Sequence, residues 1–303
     1  MSPPPVLVIG TGRSGTNLLA HVLDADPRFH NRYENRYIWN YRARTWAHDR
    51  RGTDEATPAT VRYIRRFFER AGESGQIVVD KTPSNVFRLP FIRAVLPEAR
   101  VIHLIRDGRD NLISREIEWY GGRQAYRREG AEAVAGRLAL LKQRLGHFRD
   151  LVARGNVPRE RLPAFFADNA QVFLSSLLTR RPRRYGERFP GMRETLQAYG
   201  HTVTTAVQWR EGVMQALHAL RDWPSAQYLE LRYEELSDHP EDSWSRIAHF
   251  LEIAAEGPAG EFLVQNVRRG NHGKWRTALS SEQLSVLEPH IRPTLEYLGY
   301  TWA

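Results

Sequence analysis

Hydrophobic positions along the 303-residue chain fall into short continuous runs separated by helical periods. Val6-Leu7-Val8-Ile9, Ile77-Val78-Val79, Val101–Ile105 and Tyr228–Arg232 are short, β-branched or apolar runs that stop at charged or glycine residues, as buried strands do. Between them the spacing turns helical. Asn17–Asp24 ends at Ala25-Asp26-Pro27, Thr60–Ala71 carries Val61, Ile64, Phe67 and Phe68, Phe87–Leu96 stops before Pro97, and a helix over Arg109–Tyr120 follows the third run. Helices also follow Pro240 and cover Glu282–Leu298. Strand–helix alternation predicts an α/β fold with a parallel sheet and crossover helices, whose ligands lie at the carboxyl ends of the strands. Arg28–Asp54, polar and aromatic, reads as a loop with short helical turns. Residues 123–223 are Arg-rich and helical in pattern, with Leu138, Leu141, Leu145 and Phe148 at helical spacing, and read as a helical insertion or lid in one domain covering 1–303.

The first strand runs into Gly10-Thr11-Gly12-Arg13-Ser14-Gly15-Thr16-Asn17. Strand, glycine loop and helix in that order form an anion cradle, because backbone N–H groups and the helix dipole converge on one point. Gly10 and Gly15 have the spacing of a nucleotide-triphosphatase loop, but Thr16 stands where its Lys belongs, and the cation comes earlier as Arg13. The loop therefore suits a phosphate-type anion and fits ATP hydrolysis poorly. A second anion site is expected where the strand Val101–Ile105 delivers Arg106, with Ser114 eight residues on in the next helix. A guanidinium fork and a hydroxyl can hold one phosphate from two sides.

Composition narrows the chemistry. There are no cysteines, which excludes disulfides, thiolate catalysis and Cys-ligated metal centres. A net charge of +9 favours anionic partners, among them nucleotides, acidic acceptors and nucleic acid. The arginines are scattered, and no helix-turn-helix, zinc or RNA-binding signature accompanies them, so no nucleic-acid partner is expected. No run reaches the ~18 apolar residues of a membrane span. MSPPP lacks the pattern of a secretory leader, so cytoplasmic residence is expected.

The pair GTGRSGTNLL and VIHLIRDGRDNLIS resembles the sulfotransferases that use 3′-phosphoadenosine 5′-phosphosulfate (PAPS). Val79-Asp80-Lys81-Thr82-Pro83 is similar to the family's lysine turn, Leu231-Arg232-Tyr233-Glu234-Glu235-Leu236 to its YE-L segment, and Arg268–Arg276 to its C-terminal basic Gly/Trp loop. The motifs span residues 6–276. RSGTNLLAHVLDADPRFHNRYENR is most similar to the tyrosylprotein type, with Glu34 at the place of the base. The resemblance implies a P-loop-type sheet and transfer of a sulfuryl group from PAPS to a hydroxyl or, less favourably, an amine, leaving 3′-phosphoadenosine 5′-phosphate (PAP), with no metal required. Gly12, Arg13, Ser14, Gly15, Thr16 and Asn17 would hold the 5′-phosphosulfate, Arg106 and Ser114 the 3′-phosphate, and Tyr233 the adenine. Arg268, Arg269, Gly270 and Lys274 would close over the cofactor. Lys81 and Arg13 would neutralise the leaving group, and Glu34 would take the acceptor proton. His30, His103 and His272 are alternative bases, although His103 sits within a buried strand. Cytosolic-type relatives carry a His base two residues after the lysine, where this chain has Pro83. The rival readings are a small-molecule kinase of the same fold and a basic nucleic-acid-binding protein. Acceptor and oligomeric state are not legible.

Overall fold

The computed structural model describes residues 3–72, 75–120, 146, 162–163 and 186–302. At its centre are five parallel strands, β1 (Val6–Ile9), β2 (Phe29–Tyr33), β3 (Ile77–Lys81), β4 (Arg100–Ile105) and β5 (Tyr228–Arg232), in the order β2-β3-β1-β4-β5. The chain leaves β1 toward one edge of the sheet and later crosses back to β4, so the crevice at the carboxyl ends opens beside β1, where the strand order reverses. Val8 pairs with Lys81 on one side, and Ile9 with His103 on the other. The anion loop thus lies between the lysine turn and Arg106.

The apolar runs form central strands because both faces are covered. Leu7, Ile9, Val78 and Val101 face one buried cluster, while Val6, Val8, Val79 and Ile102 face another. The helices bounded within the described residues include α1 (Thr16–Asp24), α2 (Arg36–Trp39), α3 (Pro58–Ala71), α4 (Leu89–Val95), α5 (Gly108–Tyr120), α6 (Met192–Leu220), α7 (Tyr233–Asp238), α8 (Pro240–Leu251), α9 (Pro258–Asn266), α10 (Trp275–Ala278) and α11 (Ser281–Tyr297). Thr57 caps α3 through Thr60 N–H, and Ser280 and Gln283 form a reciprocal capping box on α11.

One segment differs from its expected form. Phe29–Tyr33, expected as loop, is the edge strand β2, paired along its length with β3. Its sequence, FHNRY, buries Phe29 and Asn31 on one side and leaves polar residues on the other, so a single exposed edge strand lacks the apolar run that marks a central one. Leu138, Leu141, Leu145 and Phe148 lie outside the described residues, as does most of the stretch 123–185. The helix α6, at the far end of the expected insertion, packs into the body of the domain through Val203, Ala206, Val207, Trp209 and Val213, all buried.

Candidate active site

The loop between β1 and α1 is tightly enclosed. A Cβ on Gly15 (φ 94°) would meet the Tyr233 ring at 2.5 Å, and one on Gly10 would meet the Leu104 carbonyl at 2.5 Å, so both positions require glycine. Gly15 also leaves the start of α1 without a side-chain cap, so its first N–H groups face the crevice uncapped. Beneath the loop lies a buried polar net. Thr11 and Ser14 hydroxyls bond at 2.9 Å, Asn111 donates to Gly12 O (2.9 Å) and Ser14 Oγ (3.1 Å), and Arg115 donates to Asn111 Oδ1 (2.7 Å). Glu187 accepts from Gly12 N–H (3.1 Å) and pairs with Arg115. Asn111, Arg115 and Glu187 were not found by sequence reasoning. Asn111 lies inside the recognised motif and Arg115 one residue beyond it, one turn on, but Glu187 is 175 positions from Gly12 and no local signal points to it.

Arg106 leaves the end of β4 and is buried. It donates to Arg13 O (3.1 Å) and Asn271 O (3.0 Å), its guanidinium carbon lies 4.3 Å from the centre of the Tyr233 ring, and its Nε is buried without a partner. Carbonyl partners orient a guanidinium without cancelling its charge. The Trp209 indole on α6 fixes the strand end by donating to Arg106 O (3.0 Å). Arg13, in a left-handed conformation (φ 73°), donates from Nε to Ser114 Oγ at 3.1 Å. The two anion sites expected to be separate are therefore continuous, with Arg13 bridging from the first loop to the hydroxyl of the second. Tyr233 is buried, wedged between Gly15 and Arg106, and its hydroxyl accepts from Asn271 Nδ2 (2.5 Å).

The C-terminal loop closes this end. Asp110, in the first turn of α5, accepts from the N–H groups of Gly273 (2.5 Å) and Trp275 (3.0 Å), and His272 bonds Asp238 at 2.8 Å. Of the expected cations, Arg269 pairs with Glu241 (2.6 Å) on the surface. Arg268 contributes its carbonyl to Ser237 (2.8 Å), Gly270 supplies a left-handed turn (φ 64°), and Lys274 is exposed just before α10. Arg109 is enclosed by Asp107 (2.7 Å) and the Trp275 ring (3.6 Å to its centre), so the RDGR sequence supplies one arginine to the crevice and one to the fold.

At the other end, Lys81 closes β3 and Glu34 follows β2. Their strands are in register at Tyr33 and Lys81, and Lys81 Nζ lies 3.0 Å from Glu34 Oε1. Lys81 is buried, whereas the Glu34 side chain is 47% exposed, so the carboxylate looks outward over a sunken ammonium. Glu34 has φ 53°, a conformation that costs a non-glycine residue about 1–2 kcal/mol. Beneath the pair, Asp80 is fully buried, and burial pushes its carboxyl up to about 6 against the donors that surround it. Among the alternative bases, His103 is fully buried with neither ring nitrogen partnered, and desolvation lowers it to about 3. It is a core residue of β4. Among the described residues no group of three His, Asp or Glu side chains has the arrangement of a metal site.

A five-stranded parallel sheet with a glycine anion loop after β1, a buried strand-end arginine and a lysine–carboxylate pair across the crevice defines a group-transfer enzyme that handles a phosphate-bearing donor. The chain belongs to the sulfotransferase family, whose model matches residues 4–163. It is 27% identical over 129 residues to protein-tyrosine sulfotransferase 1 of Danio rerio, an alignment covering 38% of this chain and 36% of that one. The match thus spans little more than a third of that relative's length. The fold is that of the sulfotransferase domain from the curacin biosynthetic pathway (TM-score 0.52, 12% identity, 99% of this chain and 98% of that one). It is equally that of a sulfotransferase from Alicyclobacillus acidocaldarius (TM-score 0.51, 12% identity, 100% and 99%). The sulfotransferase domain of the Synechococcus PCC 7002 olefin synthase shares it too (TM-score 0.51, 14% identity, 99% and 96%). Among the described residues no helix is long and apolar enough to cross a membrane.

Proposed function

We propose that the protein transfers a sulfuryl group from PAPS to an acceptor hydroxyl, with Glu34 as the base and Lys81 as the cation at the transfer point. The observation that carries this reading is the Lys81–Glu34 contact of 3.0 Å at adjoining strand ends, next to a glycine loop built for an anion. The residues present fit the donor. Arg106 holds an uncancelled charge and a buried, unpartnered Nε, and the hydroxyl of Ser114 reaches the same place through Arg13. These three would hold the 3′-phosphate side, and the N–H groups of Gly15, Thr16 and Asn17 at the start of α1 the 5′ side, since Gly12 N–H is taken by Glu187 and Ser14 N–H by Thr11 O. Tyr233 acts from below, as the surface on which Gly15 and Arg106 rest.

When bound, PAPS supplies an activated sulfuryl group and a good leaving group. The chain supplies position and charge, the main needs of such a transfer. Lys81, sunk beneath Glu34, presents a fixed positive charge that is worth more in a partly dry crevice than in water. Glu34, exposed toward solvent and the incoming acceptor, takes the hydroxyl proton, and acid–base help of this kind is worth roughly 10²–10⁴-fold. Arg13 connects the two halves and steadies charge between them. Arg268 or Lys274 would complete the rim, since Arg269 is turned to Glu241. The acceptor enters beside the aromatic segment Tyr33–Trp46, where Tyr37 and Trp46 contact one another.

Calorimetric titration with PAP, run beside ATP–Mg²⁺, tests the reading. Tight binding of PAP that is lost in Arg106→Ala and Ser114→Ala supports it, and a preference for ATP–Mg²⁺ contradicts it.

A further inference from the structure

We propose that Asp80 is a positioning residue that holds Glu34 and Lys81 opposite one another, an inference that rests on the role given to that pair above. Asp80 stands one residue before Lys81 and opposite Arg32 in the β2–β3 register. Its two oxygens accept four hydrogen bonds, from Asn35 Nδ2 (2.5 Å), Thr82 Oγ1 (3.1 Å), Trp39 Nε1 (2.9 Å) and Asn85 Nδ2 (2.9 Å). Asn35 and Trp39 belong to the turn and short helix that follow Glu34. Thr82 and Asn85 belong to the turn that follows Lys81. A single buried carboxylate therefore ties together the two strand-end turns that carry the reacting pair.

Two further contacts make the tie specific to Glu34. Thr82 Oγ1, while donating to Asp80, accepts from Asn35 N–H at 3.1 Å, and Glu34 N–H donates to Lys81 O at 2.9 Å. Glu34 is thus bracketed on both sides by bonds to the β3 end, which accounts for its persistence at φ 53°. An amide at position 80 would present N–H to two of the four donors that now meet an oxygen, and the bracket would loosen on that side. Lys81 is buried beneath Glu34, so release of the turn exposes its amine.

The chain has three lysines, Lys81, Lys142 and Lys274, so acetylation by an amine-reactive ester can be followed residue by residue by mass spectrometry. In the wild-type protein Lys81 should react slowly and the exposed Lys274 fast. Asp80→Asn and Glu34→Gln should each raise the Lys81 rate by roughly tenfold, and the double variant should be no faster than either, because both act on one contact. PAP affinity, read by calorimetry, should stay within about twofold in Asp80→Asn. A Lys81 rate unchanged in Asp80→Asn, or multiplied in the double variant, overturns the proposal. So does a parallel rise at Lys274 with loss of PAP binding, which would make Asp80 a general stabiliser. Should Asp80→Asn fail to fold, Trp39→Phe removes one donor only. A smaller rise at Lys81 then supports the proposal, and no rise overturns it. If wild-type protein ignores PAP while the acetylation pattern holds, the assigned function falls and the clamp stands.

Discussion

The two ends of the crevice hold charge in opposite ways. At the Arg106 end, the guanidinium donates to two main-chain carbonyls and lies against an aromatic ring, contacts that aim it and leave its charge available. At the Lys81 end, ammonium and carboxylate meet at 3.0 Å, and the buried Asp80 has four donors around it. The first arrangement suits a site that must attract a multiply charged anion. The second suits a site that must pass a proton without changing its net charge. Both rise from the carboxyl end of the sheet, on either side of β1, so on the proposed reading the protein would separate holding the donor from transferring its group by the partners it gives each cation.

The sharpest way to break this contrast is Lys81→Ala. It should lower turnover by roughly 10²–10³-fold, the scale of losing one preorganised charge at the transfer point, while PAP affinity is largely kept. PAP released from PAPS over a panel of acceptors measures it, and a variant that loses affinity and turnover together would merge the two ends. Gly15→Ala comes next. A methyl 2.5 Å from the Tyr233 ring, on a backbone at φ 94°, must displace ring or loop. A cost of about 1–3 kcal/mol in thermal unfolding is expected, together with weaker PAP binding, and a variant as stable as the parent would show that the ring moves freely.

His103 sharpens the comparison from inside the sheet. Its ring is lowered to about 3 by desolvation against an ordinary value near 6.5, so between those pH values the unfolded chain binds a proton that the folded chain refuses. Its effect is to make stability complete above pH 6.5 and falling as the solution is acidified, with a slope of up to about 1.4 kcal/mol per pH unit. His103→Leu should flatten that fall in denaturant melts between pH 7 and 4, and parallel profiles would contradict the assignment. The smallest effect belongs to Arg269→Ala. With its guanidinium turned to Glu241 on the surface, PAP affinity should change by less than about twofold.

Much of the holding end was legible in the sequence, because its parts are local. A glycine loop after a β-branched run and an arginine at a strand end are read from a dozen neighbouring residues. At the Lys81 end the sequence pointed to Lys81 and Glu34, whose roles are proposed, but not to what sets them opposite one another. β2 was hidden because an edge strand of one apolar face reads as loop, and without β2 there is no register to bring Tyr33 beside Lys81. Glu187 under Gly12 and Asn271 on Arg106 are long-range pairings, invisible to any periodicity. The bridge from Arg13 to Ser114 likewise depends on how closely β1 and β4 set their loops.

The most direct measurement compares the affinity of PAP with that of adenosine 5′-phosphate, which lacks the 3′-phosphate, in the wild-type protein and in Arg106→Ala. The account predicts a preference for PAP of about tenfold or more in the wild type, most of it gone in the variant, because a buried charge-assisted contact is worth about 1.5–3 kcal/mol. Equal affinity for the two nucleotides in the wild type, or a preference that survives the loss of Arg106, would contradict it.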